Sequence, residues 1–160
     1  MRSDVINKNS GSYGLDRRKV ETINNSAAVT RTLTADESGT LFVIDTSAVD
    51  NNITLTLPSV SGAAGVFYDF CCKVDSDDDA DFVIVADAAG TDIYGGIVTL
   101  AANSTVDAFA GVSTITVDNS VAQSSEGLHM SLLCDGTNWH LNGHIMTAVG
   151  TVHLVGAAGV

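Results

Sequence analysis

The sequence predicts an all-β protein: a jelly-roll-like antiparallel β-sandwich carrying an extended N-terminal arm. Three observations predict it. Apolar residues recur in short β-branched and aromatic runs with no helical spacing sustained over three turns, one hairpin near the end separates its two faces cleanly, and the opening residues lack either period.

The opening segment comes first. Residues 1–26 are rich in Asn, Ser, Gly and basic side chains and carry few large apolar ones. Such a stretch cannot bury enough surface to order itself, so it reads as an arm that orders on a partner. Residues 27–160 read as the β-sandwich domain, and a chain of 160 residues suits one core of ordinary size.

The strand signals follow in order: 40–45 (TLFVID), 53–58 (ITLTLP), 66–74 (VFYDFCCKV), 81–87 (DFVIVAD), 95–102 (GGIVTLAA), 113–118 (STITVD) and 151–155 (TVHLV). In the second of these, Ile53, Leu55 and Leu57 share one face and Thr54 and Thr56 the other, until Pro58 removes a ladder donor. The hairpin is the most specific element. With Gly136 and Thr137 at its turn, Cys134 faces Trp139, Leu132 faces Leu141, Met130 faces Gly143 and Leu128 faces Ile145. One face is then wholly apolar; the other carries His129, Ser131, His140, Asn142 and His144, with Leu133 its one apolar exception. A slip of one residue would mix the two faces, so the register is strongly specified. Strands with one wet face each must bury the other against a second sheet, which gives the sandwich.

Charge divides the chain. Six of seven basic residues lie within the first 31 positions beside three acids, a local balance of +3; the remaining 129 residues carry 16 acids and Lys73, a balance of −15. So acidic a body repels phosphate backbones, which excludes nucleic acid as a partner and points the basic arm at an acidic surface. No membrane-length apolar segment or signal peptide is visible, so no membrane partner is expected. Cys71, Cys72 and Cys134 form neither an even disulfide framework nor a metal pattern, and are expected as small buried apolar residues in a reducing cytosol.

Three constellations bear on chemistry. The string LFVIDTSA (41–48) has the look of an aspartic-protease signature around Asp45, but Ser47 stands where that motif has glycine, and a strand ending in an Asx or ST turn explains it better. Five aspartates between Asp75 and Asp81 could attract Ca²⁺, yet Ala80 and Ala86 occupy the glycine and bidentate-glutamate positions of an EF-hand loop, so a solvated turn is expected. The hairpin register sets His129 opposite His144, two ligands where zinc wants three or four, so an ordinary exposed pair is expected. No nucleophile–base order or phosphate loop occurs. No catalytic, cofactor or metal residue is therefore assigned, and the chain is expected not to be an enzyme.

The order of Gly39 to Asp45, the alternating strand Ile53 to Pro58, and the Asp135-Gly136-Thr137-Asn138-Trp139 turn resembles β modules of tailed-phage capsid decoration (cement) proteins and of phage fibre or tail-appendage proteins. The likeness spans roughly residues 30–145. It implies a virion location on the capsid exterior, assembly in the host cytoplasm, a homotrimer, and attachment to the major capsid protein by an arm or edge. The shortness of the chain and its lack of a repetitive shaft favour the cement protein over the fibre module. The arm would then dock through Arg2, Lys8, Arg17, Arg18 and Lys19, with Ile6, Tyr13 and Leu15 as apolar anchors. The alternative is a head-fibre or tail-appendage module that binds a receptor or glycan.

Overall fold

The computed structural model describes residues 18–74, 80–87, 91–99, 105–118, 125–145 and 153–157. Twelve strands are found among them: β1 (Val20–Asn24), β2 (Val29–Thr32), β3 (Leu41–Asp45), β4 (Ile53–Thr56), β5 (Phe67–Val74), β6 (Phe82–Val85), β7 (Ile93–Thr99), β8 (Thr105–Val112), β9 (Thr114–Asp118), β10 (His129–Cys134), β11 (Trp139–Ile145) and β12 (His153–Ala157). A 3₁₀ turn, Ala35–Glu37, lies between β2 and β3 and is closed by a capping box in which Thr34 and Glu37 bond reciprocally.

The strands form two sheets. One has seven strands in the order β1-β3-β5-β10-β11-β7-β8, the other five in the order β12-β9-β6-β4-β2. The fold is therefore all-β with two sheets, but it differs from the antiparallel jelly roll expected from sequence. Five of the ten strand pairings are parallel: β1 with β3, β3 with β5, β2 with β4, β4 with β6, and β11 with β7. The cause is connectivity. The first six strands alternate between sheets, so each strand visits the opposite sheet before the chain returns beside its predecessor, and it returns in the same direction. Odd and even strands thus stack as two parallel ladders, a set of coils with one sheet on either side. An alternating burial pattern is common to parallel and antiparallel half-buried strands, which is why the sequence did not distinguish them.

Alternation itself is followed closely. In β4 and β6 the pattern is buried, half-buried, buried, half-buried, and in β11 each odd-numbered residue from Trp139 to Ile145 is buried while each even one is exposed. The buried sides meet in one core. An aromatic series runs through it: Trp139 stacks on Tyr68 (5.8 Å), and Tyr68 tilts onto Phe42 (6.1 Å). Phe42 then stacks on Phe70 (5.6 Å), and Phe70 crosses to Phe82 of the second sheet (5.6 Å). Cys72 and Cys134 belong to this core, as expected, whereas Cys71 is half-buried on the opposite side of β5.

The hairpin has the register read from sequence. Cys134 pairs with Trp139, Leu132 with Leu141, Met130 with Gly143 and His129 with His144. Gly136 adopts φ +95°, the left-handed conformation that favours glycine at a tight turn. Gly95 on β7 has a different reason: a Cβ there would lie 1.9 Å from the Leu141 carbonyl oxygen of the neighbouring β11, so no side chain fits.

The boundary at residue 26 also shifts. Residues 1–17, with Arg2, Ile6, Lys8, Tyr13, Leu15 and Arg17, lie outside the described residues. Val20–Asn24, assigned to the arm, instead form the edge strand of the larger sheet, in parallel register with Leu41–Asp45. Its neighbour Asn25 is fully buried, and its amide nitrogen donates to the carbonyls of Thr46 (2.9 Å) and Val49 while its oxygen accepts from Ala48 N–H (2.9 Å). One side chain thereby ties the loop after β1 to the loop after β3.

Candidate functional site: the outer face of the seven-stranded sheet

Side chains at Phe67, Asp69 and Cys71 of β5 point away from the core, as do His129, Ser131 and Leu133 of β10, His140, Asn142 and His144 of β11, and Tyr94 of β7. Register groups them into rows across the strands. The row nearest the chain's entry is Phe67–Leu133–His140–Tyr94, each residue paired with the next across β5, β10, β11 and β7. At a strand spacing of about 4.8 Å it spans about 14 Å. Phe67 is 38% exposed and Leu133 48%, although both sit on central strands where an outward apolar side chain has no edge to hide behind. The His140 ring stacks near Tyr94 (6.4 Å between centroids).

Polar groups hold the two ends of this stripe. At the far end the Tyr94 hydroxyl donates to Asp92 (3.2 Å), and the hydrogen bond keeps the phenol protonated above its ordinary range. Beside it Asp135 accepts from the backbone N–H groups of Thr137 (2.7 Å) and Asn138 (2.8 Å) and meets His140 Nε2 at 2.7 Å. Those partners, His140 foremost, bring the Asp135 carboxyl down to about 2.

At the near end the first described residue is fastened. The Arg18 guanidinium lies over the Phe67 ring (5.7 Å) and pairs with Asp69, whose other oxygen accepts from the Ser131 hydroxyl. Asp69 faces outward in register yet is only 5% exposed, because Arg18 lies against it. Arg18 precedes β1, so its side chain reaches past β3 to β5, two strands inward from its own. Lys19, the other basic residue of the expected docking set that is described, pairs with Glu21 (3.1 Å). Both side chains are thus engaged with the chain's own body.

The row beyond Asp69 and Ser131 carries Cys71, His129 and His144, with the two imidazoles stacked at 5.7 Å. The pair foreseen from sequence is real, but among the described residues no group of three His, Cys, Asp or Glu side chains is placed to hold a metal ion. Asp75–Asp79 of the acidic run lie outside the described residues. Asp45 is occupied locally: the Ser47 hydroxyl and backbone N–H donate to one oxygen and Lys73 meets the other at 3.3 Å, and this set, led by the Ser47 hydroxyl, lowers its pKa. That is the Asx turn the sequence favoured over a protease motif.

The opposite face of the molecule is plainer. Two outward rows of the five-stranded sheet, Thr30–Thr54–Val83–Thr116 and Thr32–Thr56–Val85–Thr114, carry no charged side chain, and Asp118 lies beyond them on β9.

Phe67, Asp69, Ser131 and Tyr94 were not singled out from sequence. Two signals pointed their way: Leu133 broke the polar face of the hairpin, and Asp69 interrupts an aromatic run in the middle of a strand. Comparison of the chain with protein-family models, with curated proteins and with solved structures gives no match.

Proposed function

We propose that the chain is a structural, non-catalytic virion protein that decorates the exterior of a tailed-phage capsid, bound to the major capsid protein and acting as a homotrimer. The observation that carries this reading is the fastening of Arg18. Arg18, where the expected basic arm would join the β body, is held by Phe67 and Asp69, and a clamp needs such a fixed point. Ordering an arm costs on the order of 1–2 kcal/mol per residue in backbone entropy, so a single copy grips weakly. Several arms on one assembly act together and raise avidity by roughly 10²–10⁴. Residues 1–17 would supply the grip, with Arg2, Lys8 and Arg17 meeting acidic shell surface and Ile6, Tyr13 and Leu15 filling apolar recesses. The acidic body, repelled by such a surface, would stand off from it.

The test is removal of residues 1–17, stopping short of β1 so that the sheet edge stays intact. Purified decoration-free shells should then retain the truncated chain far less well than the full chain. Equal occupancy would reject the clamp, and a monomeric mass by light scattering would reject the trimer.

A second reading, a fibre or tail-appendage module that binds a receptor or glycan, is favoured by one observation: Tyr94, His140 and Phe67 present rings on an outer face instead of burying them. Binding on a glycan array that Tyr94→Ala abolishes would support it, and an array without hits would remove it.

A further inference from the structure

Three histidines stand on the outer face of the seven-stranded sheet, and two of them differ from the third. His140 is engaged, its Nε2 meeting Asp135 at 2.7 Å. Among the described residues, His129 and His144 have no hydrogen-bonding side-chain partner; their rings stack on each other, with centroids 5.7 Å apart and planes inclined by 29°. That part of the chain makes no claim on their ring nitrogens. His129 is half-buried and His144 exposed, so solutes reach the pair. Both strands lie inside the sheet, β10 between β5 and β11, and β11 between β10 and β7. Ladders on both sides therefore hold the two backbones in place, and directly opposed residues have Cβ atoms about 4.5–5.5 Å apart.

Distance decides what such a pair can hold. An ion bonded to one nitrogen of each of two imidazoles sits about 2.0–2.1 Å from both, which at right-angled or tetrahedral bond angles puts the ring centroids about 4.5–5 Å apart. The observed 5.7 Å exceeds this by about 1 Å, a gap that small rotations about χ1 and χ2 close without moving either strand. Chemistry then selects the ion. Imidazole suits Ni²⁺, Cu²⁺ and Zn²⁺, whereas Ca²⁺ and Mg²⁺ take oxygen ligands. Cys71 faces His129 from β5, but the three side chains are not placed as a ligand set, so protein supplies two donors and water the others. The neighbouring outward side chains, Ser131 and Asn142, are uncharged, and the net acidity of the chain favours the approach of any cation.

We propose that His129 and His144 form a two-point chelate for an exchangeable divalent transition-metal ion, with water in its remaining positions. Such an ion ties β10 to β11 from outside the core. It binds the folded hairpin, where the two rings are held together, and not the unfolded chain, where they are fifteen positions apart, so it stabilises the fold in proportion to its occupancy. With only two protein donors it is an ion that comes and goes, unlike the four-coordinate zinc of a structural site. The site stands whether or not the chain decorates a shell.

The test is a titration of the full chain with Ni²⁺ alone, a probe chosen because Cu²⁺ oxidises thiols and Cys71 lies one strand away. Imidazole signals are followed by NMR and the thermal midpoint is measured as the ion is added. The paramagnetic ion should broaden the His129 and His144 rings ahead of His140, at one ion per chain, and the midpoint should rise with its concentration. His129→Gln and His144→Gln should each weaken uptake about tenfold or more, since a second donor on the same frame acts at a high effective concentration. His140→Gln should leave it unchanged. Should His129→Gln fail to fold, His144→Gln, at an exposed position, decides. Broadening that does not favour the pair would overturn the proposal. So would uptake that survives both substitutions, or one ion shared between two chains.

Discussion

The two halves of this molecule are built by opposite means. In β1–β6 every neighbour within a sheet is reached by way of the other sheet, so partners such as Ile23 and Ile44, or Ile53 and Phe82, are more than twenty residues apart. In β10–β11 the partners meet across a four-residue turn. The hairpin therefore specifies itself by alternation and one glycine, while the coils rely on side chains that reach from one turn of chain to another. Asn25 ties two loops together. Arg31, inward on β2, joins Glu21 and Glu37 and lies over the Phe42 ring (5.5 Å), closing the core at the β1–β2 end. Arg18 does the same outside through Asp69. The lesson is that the non-local half adds polar tethers to the core packing that both halves share.

That contrast can be broken from either side, and the largest effect is expected from packing. Gly95→Ala places a methyl group within 1.9 Å of the Leu141 carbonyl oxygen, so the β7–β11 ladder must part. Overpacking costs typically about 1–3 kcal/mol, and a backbone clash with no side chain to yield lies at or beyond the upper end. Chemical denaturation should show a loss of that size, with hydrogen exchange fastest at β7. A loss under about 1 kcal/mol would mean the ladder is softer than it looks.

Next comes the tether. Asn25→Ala removes three hydrogen bonds that join the loops after β1 and β3 and leaves a small cavity at a buried position, so a loss of about 1–3 kcal/mol is expected. The loss should speed exchange in the loops after β1 and β3 and leave the hairpin's protection untouched. Uniform loosening of both halves would dissolve the distinction drawn above.

Arg31→Met is expected to cost less. It keeps cover over Phe42 but deprives Glu21 and Glu37 of their cation, and because the pair is partly exposed the loss should be about 1 kcal/mol. Adding salt should narrow the gap between variant and parent.

The smallest effect is a slope. The Arg31 guanidinium lowers the Glu21 pKa and the Ser47 hydroxyl, with Lys73, lowers that of Asp45; both carboxylates lie in the coiled half. A carboxylate whose folded pKa is depressed stabilises the fold above its unfolded value and stops doing so as pH falls toward the folded one. The thermal midpoint should therefore decline as pH drops below about 4.5, the ordinary carboxylate range. Glu21→Gln and Asp45→Asn should flatten the decline, and an unchanged slope in both would remove these groups from the account.

Particular residues show what could be read in advance. Ile53, Leu55 and Leu57 announced an inner face, and Cys134 opposite Trp139 announced a register, because a strand's two-residue period is written in consecutive positions. His129 and His144 were placed together for the same reason. Asp69 was not legible as a site: nothing local says that a carboxylate between aromatics will be covered by an arginine 51 positions earlier. Nor was β1 legible within the expected arm, since that strand is short, half polar and held by pairing with β3.

The sequence by itself determined that the chain is all-β, which residues face inward, and how its last long hairpin is aligned, since each of these follows from the order of neighbouring side chains. Only the tertiary structure decided that the first six strands coil in parallel, and that Arg18 clasps Asp69 beside an exposed aromatic stripe. Partners more than twenty residues apart are chosen by the packing of the two sheets together, and no local pattern records which of several equally apolar strands will lie alongside.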